Sequence, residues 1–449
     1  MIDDDDEVEF SLTRDVVGRV LAQLDAKAAN GGLSPTEAKA REVAALRMYG
    51  AGSSPKKFTS LFAQQVDGTL RGQYRFGGAT QTGRLSSRGA QIHNLARDVL
   101  GEDGRYETAL VGMIRNGCSY ADLVAAEPVD MPAARKLALL VRPAIVAGRK
   151  KMFVWSDWSA IEARVLPWLV ASEGAEKVLD IFRANDADPS RPDIYMTTAA
   201  SILHKDVREI TKAERGGGKV ATLALGFGGS VGALQRMALN YKISLEAAEA
   251  RRIVDAWRAA NPWAREFWPA LWNAALTAWE SPGTVTRAGR ITFAFKDYLG
   301  GSLFMKLPSG RLLTYPRPKW RDVDVLDQDG KPTGEKRREL SFKRAHGRVH
   351  LWHGTLCENA VQGTAADLLR STVTRIENNP ALAQMPIRMT THDEIVCEVA
   401  EVVAWKAKAI LHREMLTLPV WAAGLPLASE ESVCAYYTKS KAALVGGAP

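Results

Sequence analysis

Three groupings of acidic or basic residues have types and spacings that chemistry can use. The first is Asp157, within residues 151–165 (KMFVWSDWSAIEARV). Residues 152–155 are an apolar run of strand formers, and 161–170 (IEARVLPWLV) has the apolar density of a buried helix. A carboxylate where a buried strand ends is costly unless it is paired, hydrogen-bonded or holding a metal. Taken alone, the plainer reading is a helix cap supplied by Ser156, Asp157 or Ser159. The second grouping is His392-Asp393-Glu394, between two β-rich runs of residues 387–399 (IRMTTHDEIVCEV). These acids fall at the turn of a hairpin, as turn residues or as metal ligands. The third is residues 214–230, where Arg215, Lys219, Leu223 and Phe227 recur every four residues as a slowly drifting stripe on one helix face. Two cations, then an apolar residue and a ring, suit phosphates at one end and a sugar and base at the other. Glycines 216–218 each cost about 1 kcal/mol in a helix interior, which predicts a loose first turn.

If the strands bearing Asp157 and Asp393 are neighbours in one sheet, both carboxylates meet at its edge. Hard oxygen ligands of this kind suit Mg²⁺, which binds through one or two carboxylates plus substrate phosphates. Two such ions roughly 3.5–4 Å apart activate an attacking hydroxyl and stabilise a leaving pyrophosphate. A strand of nucleic acid also has a candidate surface. Arg71, Arg75, Arg84, Arg88 and Arg97 are interleaved with glycines, amides and the rings of Tyr74 and Phe76. That mixture suits a phosphodiester backbone; the alternative is a charged hairpin in solvent.

The elements that must position these groups are legible in part. Leu12, Val16, Val20 and Leu24 step by four along a first helix. Ser34, Pro35 and Glu37 read as N-cap, first position and capping box of a second, and a break over 50–55 leads to a basic tip at Lys56 and Lys57. Residues 102–148 are mostly helical in pattern, with Arg142 just before the strand. Residues 192–204 form a helix with Asp193 near its start, and 246–280 are helical and tryptophan-rich. Residues 283–318 switch to strands, with turns at Ala288-Gly289 and at 308–310, and 327–335 is an exposed turn. From Asn359 onward, Val361, Ala365, Leu368, Val373 and Ile376 define a core-facing helix that leaves the Gln362 amide toward a groove.

With 449 residues, 46% hydrophobic and 24% charged, the chain has room for two to four domains around a large core. No apolar run reaches the roughly 18–20 residues that span a bilayer. The acidic start, MIDDDDEVEF, is a solvated tail and argues against a signal peptide. Cys118, Cys357, Cys397 and Cys434 are scattered without metal-ligand spacing, as expected of free thiols in a reducing compartment. The net charge of +8 favours an anionic partner, nucleic acid before a membrane surface.

DWSAIEAR (157–164), RGGGKVATLALGFG (215–228) and HDE (392–394), in that order, resemble motifs A, B and C of family A DNA polymerases. TGRLSS (82–87), followed by Gln91, His93 and Asn94, and ENAVQGTAADLL (358–369) are also similar to segments of that family. LPSGRLLTYP (307–316) points to its bacteriophage-type branch. The resemblance runs from about residue 35 onward.

The resemblance implies an α+β right-hand architecture with an antiparallel palm sheet, mainly helical fingers and a partial helical thumb. Its divisions would be an acidic tail and partial thumb (1–66), a first palm segment (67–190), fingers (191–350) with a β-rich insertion near 283–318, and a second palm segment (351–449). Asp157 and Asp393 would be the catalytic, metal-binding aspartates for two Mg²⁺ ions, with the backbone carbonyl of Trp158 as a further ligand and Glu394 as a supporting acid. Glu162 would exclude ribonucleotides, with Arg164 close by. Arg215 and Lys219 would contact the incoming triphosphate, and Lys219 would protonate pyrophosphate. Leu223 and Phe227 would border the nucleotide, with Phe227 on the template side. Arg84 and Gln362 would read the minor groove near the primer terminus, and His392 would touch the primer end. Gln91, His93, Asn94, Lys56 and Lys57 complete the expected DNA-binding set.

The chain departs from the family pattern at several places. Leu223 stands where bacterial members carry Phe or Tyr, Ala160 replaces a Gln, Tyr195 replaces a frequent His, and glycines 216–218 open the fingers helix. No 3′–5′ exonuclease motif precedes the thumb helices, which implies either trimming or a split gene with a second polypeptide carrying the exonuclease and the rest of the thumb. The expected function is template-directed DNA synthesis without a resident exonuclease, on primer-template DNA and dNTPs, in the cytoplasm of a bacterial host. A single-subunit RNA polymerase and a non-catalytic DNA-binding subunit of a split polymerase are the alternatives.

Overall fold

The computed structural model describes residues 14–29, 32–50, 53–241, 243–298, 300–326 and 332–444. The acidic tail, Leu12 and residues 327–331 of the expected turn lie outside them.

The first helices are α1 (Arg14–Ala29), α2 (Pro35–Ala45) and α3 (Ser53–Gln64). The capping box of α2 is present: the Glu37 amide donates to Ser34 Oγ at 3.3 Å, and the Ser34 amide donates to Glu37 Oε2 at 2.9 Å. On α1 the buried residues are Val17 and Leu21, one position on from the expected stripe, and Val20 is exposed. The contact line passes through Gly18, where Met48 Cε lies 3.2 Å from the place of an absent Cβ. Lys56 and Lys57 lie inside α3 rather than at a chain break.

Two small hairpins follow, β1 (Gln65–Val66) with β2 (Thr69–Leu70) and β3 (Tyr74–Arg75) with β4 (Ser86–Ser87), then α4 (Glu107–Arg115), α5 (Tyr120–Ala125) and α6 (Ala133–Leu139). The central strand is β5 (Lys151–Trp158), and it runs through a short turn into α7 (Ile161–Val170). Its alternate residues serve two cores. Val154 and Trp158 belong to the main cluster, whereas Phe153 and Trp155 pack with Ile92, Val141 and Tyr437 on the other face. Covered on both sides, β5 reads as a continuous apolar run with no polar alternation.

Helices α8 (Glu173–Ala187), α9 (Ile194–Leu203), α10 (Lys212–Leu225), α11 (Val231–Asn240), α12 (Ala247–Ala260) and α13 (Pro262–Glu280) form a helical body. The expected strands over 283–318 are an antiparallel sheet of β6 (Val285–Ala288), β7 (Ile291–Lys296), β8 (Ser302–Lys306) and β9 (Leu312–Pro316). Next comes an element the sequence reading missed, a three-stranded antiparallel sheet of β10 (Lys319–Leu326), β11 (Pro332–Arg344) and β12 (Gly347–His350). Most of β11 is exposed on both faces, so no apolar alternation marks it as a strand.

The chain then enters α14 (His353–Glu377), a hairpin of β13 (Ile387–Thr391) and β14 (Glu394–Ala400), α15 (Ala404–Leu416) and β15 (Ser429–Cys434). These last strands complete the central sheet in the order β13-β14-β5-β15, every neighbour antiparallel. Helix α15 packs on this sheet, and Trp158 Nε1 donates to the Met415 carbonyl at its end (2.9 Å). No helix among the described residues is long and apolar enough to cross a membrane.

Candidate active site

The pairing of β14 with β5 sets Glu394 directly opposite Asp157. Asp393 therefore stands in the turn immediately beyond the end of that pairing, where the Trp158 amide donates to its carbonyl at 3.4 Å. His392 completes the turn with φ of 60°, in the left-handed region. The two aspartates expected from distant motifs thus share one sheet edge. Burial, with the Asp157 carboxylate next in weight, pushes Asp393 well above the ordinary carboxylate range.

Glu394 is fully buried and held from both sides. The Tyr437 hydroxyl donates to its Oε1, and Lys439 Nζ lies 2.5 Å from its Oε2. The same ammonium lies 3.2 Å from Asp157 Oδ2. Burial opposes the Lys439 charge, but Glu394 and Asp157 outweigh it and its pKa rises. Arg142 lies against the Tyr437 ring at 4.6 Å and donates to the Ala96 and Leu95 carbonyls, leaving its Nη1 buried without a partner. Sequence reasoning missed Lys439 and Tyr437; an amine and a phenol near a chain end carry no local signal of a site.

None of Ser156, Asp157 or Ser159 caps α7. The N-cap position is Ala160, in a left-handed conformation (φ 54°, ψ 39°) with no side-chain cap. Ser156 Oγ donates instead to Glu431 at 2.8 Å, and the Ser159 amide donates to the Ala428 carbonyl at 2.8 Å. The reversal brings Glu162, in the first turn of α7, alongside Arg84, whose Nη2 donates to it at 2.8 Å. Arg164 turns away from that point. It makes a bidentate pair with Asp186 (2.6 and 2.7 Å), donates to the Ser159 carbonyl at 2.8 Å and lies over the Phe182 ring.

Arg84 is itself positioned by residues from distant elements. Arg311 donates to the Thr82 carbonyl (2.8 Å) and pairs with Asp367 of α14 (2.6 Å), while Arg370 of α14 donates to the Gly83 carbonyl. Gly83 has φ of +73°, and a Cβ there would stand 2.5 Å from Arg311 Nη1, so glycine is required. On α14, Gln362 donates to Glu358 at 3.1 Å, and Glu358 is raised by burial and then by the nearby Glu162 charge.

The cationic stripe lies on α10. Its cap is Thr211, with Glu214 completing a capping box, so the helix is nucleated ahead of the glycines and runs unbroken through them; the expected loose turn is absent. A Cβ on Gly218 would stand 2.1 Å from the Tyr195 carbonyl of α9, whereas Gly216 and Gly217 face open space. Arg215 pairs with Asp193, the N-cap of α9, with Nε–Oδ2 of 2.7 Å. Lys219 sits between the rings of Tyr195 (5.8 Å) and Tyr241 (5.7 Å), with no carboxylate within 4.0 Å among the described residues. Leu223, Phe227 and Glu162 line a single cleft with Ala163, Thr222 and Trp263.

The remaining expected residues divide. His93 is buried, with Nε2 3.1 Å from the Thr390 carbonyl, and stacks on His392 at 5.0 Å. Gln91 and Asn94 bond one another at 3.1 Å, and Lys57 Nζ donates to both of their carbonyls at 3.1 and 2.9 Å. Lys57 is thus turned inward, while Lys56 is exposed.

No group of three or more His, Cys, Asp or Glu side chains suited to a metal occurs among the described residues. The edge offers a two-carboxylate set, Asp157 and Asp393, whose mutual repulsion is relieved only in part, by Lys439 beside Asp157 and by the Arg84 charge acting on Asp393. That donor set fits Mg²⁺, which takes few protein ligands and completes its shell with water and substrate phosphates.

An antiparallel sheet carrying paired acids at its edge, with the cationic α10 in the adjoining helical body, makes this an α+β polymerase fold. Residues 38–290 match the family model of DNA polymerase family A. A DNA polymerase of Bacillus phage SP02 is 35% identical over 400 residues, which cover 88% of this chain and 56% of that protein. A solved structure titled "POL domain of Pol1 from M. smegmatis complex with DNA primer-template and dNTP" matches with a TM-score of 0.57 at 15% identity, over 97% of this chain and 58% of that one. The chain belongs to DNA polymerase family A. It spans a little over half the length of the phage relative.

Proposed function

We propose that this chain catalyses template-directed addition of deoxynucleotides to a primer 3′-hydroxyl. The observation that carries the reading is the register that opposes Glu394 to Asp157 and so brings Asp393 to the same edge. In this reading the palm comprises 67–190 and 351–449, the fingers 191–350, and α1–α3 part of a thumb.

The primer 3′-oxygen attacks the α-phosphorus of the incoming nucleotide, forming one P–O bond as the P–O bond to pyrophosphate breaks. Asp157 and Asp393, with the Trp158 carbonyl, would hold two Mg²⁺ ions. When bound, these ions lower the pKa of the attacking hydroxyl and neutralise charge on the leaving pyrophosphate. Lys219, with no acidic partner in reach among the described residues, meets the triphosphate and gives a proton to the departing pyrophosphate. Arg215 needs to exchange Asp193 for phosphate oxygens. Glu162, held upright by Arg84, closes the space a 2′-hydroxyl would enter, while Leu223 and Phe227 flank the sugar and base. Arg164 acts on this site through the Ser159 carbonyl rather than by touching the nucleotide.

Primer extension tests the reading. Wild-type chain is expected to extend with dNTPs and Mg²⁺ and to use rNTPs poorly. Asp157→Ala and Asp393→Ala should each abolish extension while keeping primer-template affinity within about threefold of wild type. Near wild-type extension by either variant overturns the assignment.

A further inference from the structure

The three-stranded sheet of β10–β12 has no role in the site described above. Its 13-residue central strand, at about 3.3 Å per residue, reaches roughly 40 Å. One face of its root is anchored in the core: Trp320, Leu340 and Phe342 point inward, where Trp320 meets Trp279 at 6.2 Å and Phe342 meets Tyr315 at 5.1 Å, while Glu339 and Ser341 on the other face are also buried.

Cross-strand register sorts the charges between the two faces. Asp322 stands opposite Arg338 and Asp324 opposite Lys336, on the core-facing side. That side is therefore nearly balanced. The opposite side carries Lys319, Arg321, Arg337, Lys343 and Arg348 against only Glu335 and Glu339. Glu339 is buried beneath Arg337 and His350, and Arg321 Nε is buried without a hydrogen-bond partner. No carboxylate lies within 4.0 Å of Lys319 or Lys343 among the described residues, and both are exposed.

This cationic face leads directly to the active site. His350, paired with Ser341, lies on it and stacks with Trp352 at 6.3 Å and 18°. Trp352 is 36% exposed. Its ring and the Phe227 carbonyl both crowd Gly354, at 2.5 and 2.8 Å from the place of a Cβ. An exposed ring thus stands beside Phe227, the expected template-side residue, and a row of cations continues from it.

We propose that the outer face of the β10–β12 arm, entered over Trp352 and His350, binds the single-stranded 5′ extension of the template. Aromatic rings that accept any base, followed by cations spaced along an extended backbone, match a single strand rather than a sequence-specific duplex. The proposal rests on the polymerase reading in one respect, the direction in which the template leaves Phe227.

Its test is anisotropy of a labelled primer-template with template overhangs of about 2 or about 15 nucleotides, at low and moderate salt. Wild type is expected to bind the long overhang about tenfold or more tighter, with a steeper salt dependence. Lys319→Glu/Lys343→Glu should lose that increment and lower the salt slope on the long overhang by about 1.4, roughly 0.7 per phosphate contact on single strands. Affinity for the short overhang should be unchanged. Trp352→Ala should also lose the increment with a smaller change in slope. Equal weakening on both overhangs, or a wild-type affinity that ignores overhang length, overturns the proposal; the latter is expected if the arm serves an acidic protein surface. Single-nucleotide extension on the short overhang reports separately on the polymerase reading, because it does not require the arm.

Discussion

Lys439 Nζ lies 3.2 Å from Asp157 Oδ2, bridging this carboxylate to Glu394 at the centre of the acidic edge. The bridge distinguishes the three acids. Glu394 is engaged by Lys439 and Tyr437, whereas Asp393 is buried beside Asp157, whose charge outweighs the relief it receives from Arg84. The side of the edge that remains open to a cation is the Asp157–Asp393 side.

Removing the amine therefore leaves Glu394 buried and half-satisfied. Lys439→Met is expected to destabilise the chain by about 2–3 kcal/mol, below the ~3–5 kcal/mol of a fully buried pair because the Lys439 side chain is 28% exposed. Adding Glu394→Gln should recover much of that loss. Urea unfolding of both variants without divalent ions checks this, and Mn²⁺ titration by electron paramagnetic resonance should show altered binding in both, because each frees Asp157 of the ammonium. Additive losses in the double variant would mean that the bridge is not a coupled pair.

The three glycines of α10 should respond to alanine with opposite signs. Gly216 and Gly217 are helical with nothing near an added Cβ, so Gly216→Ala and Gly217→Ala should each stabilise by up to about 1 kcal/mol. At Gly218 the new methyl group meets the Tyr195 carbonyl at 2.1 Å, and overpacking of this kind costs about 1–3 kcal/mol. Thermal unfolding of the three single variants gives the signs directly. If Gly218→Ala is also stabilising, then α9 and α10 do not pack as closely as described.

Local chemistry made some of this site readable from sequence. The strand before Asp157, the helix Ile161–Val170 and the hairpin around Asp393 are encoded by their own residues, so each could be placed without the others. What escaped was set by distant partners. Lys439 gains meaning only from Glu394 and from Asp157, 282 positions earlier, and Arg84 is aimed by Arg311 and Arg370 acting on carbonyls of 82 and 83. The glycine run was misread because the reason for Gly218 lies on α9. The β10–β12 arm was missed because a strand exposed on both faces has no apolar period. Ala160 as a left-handed N-cap runs against propensity, at a cost of roughly 1–2 kcal/mol, and the side-chain caps expected in its place are occupied elsewhere.

Arg84 and Glu162 make a matched pair whose members should fail differently. On the proposed role of Glu162, Glu162→Ala is expected to relax discrimination against rNTPs at least tenfold, about 1.4 kcal/mol. Arg84→Ala leaves the Glu162 carboxylate in place but without its partner and close to Glu358, so the loss should fall on the incorporation rate for both sugars. Single-turnover incorporation of matched dNTP and rNTP separates the two. Unchanged discrimination in Glu162→Ala would remove this residue from the sugar contact.

Acid should loosen α10 at its first turn. Glu214 accepts from Lys205 and from the Thr211 amide and hydroxyl, and these bonds, Lys205 first, lower its pKa from 4.5 to about 2. Because the folded-state value is the lower one, the contribution to stability is complete above about pH 4.5. It is lost as pH falls toward 2. In Glu214→Gln no such titration exists, so the difference in urea midpoint between wild type and this variant should shrink steadily from pH 5 to pH 2. An NMR titration of the Glu214 carboxyl should have its midpoint near 2. A midpoint near 4.5 would mean that the capping box and the Lys205 bond do not hold in solution, and Arg215 and Lys219 would then start from a frayed helix end.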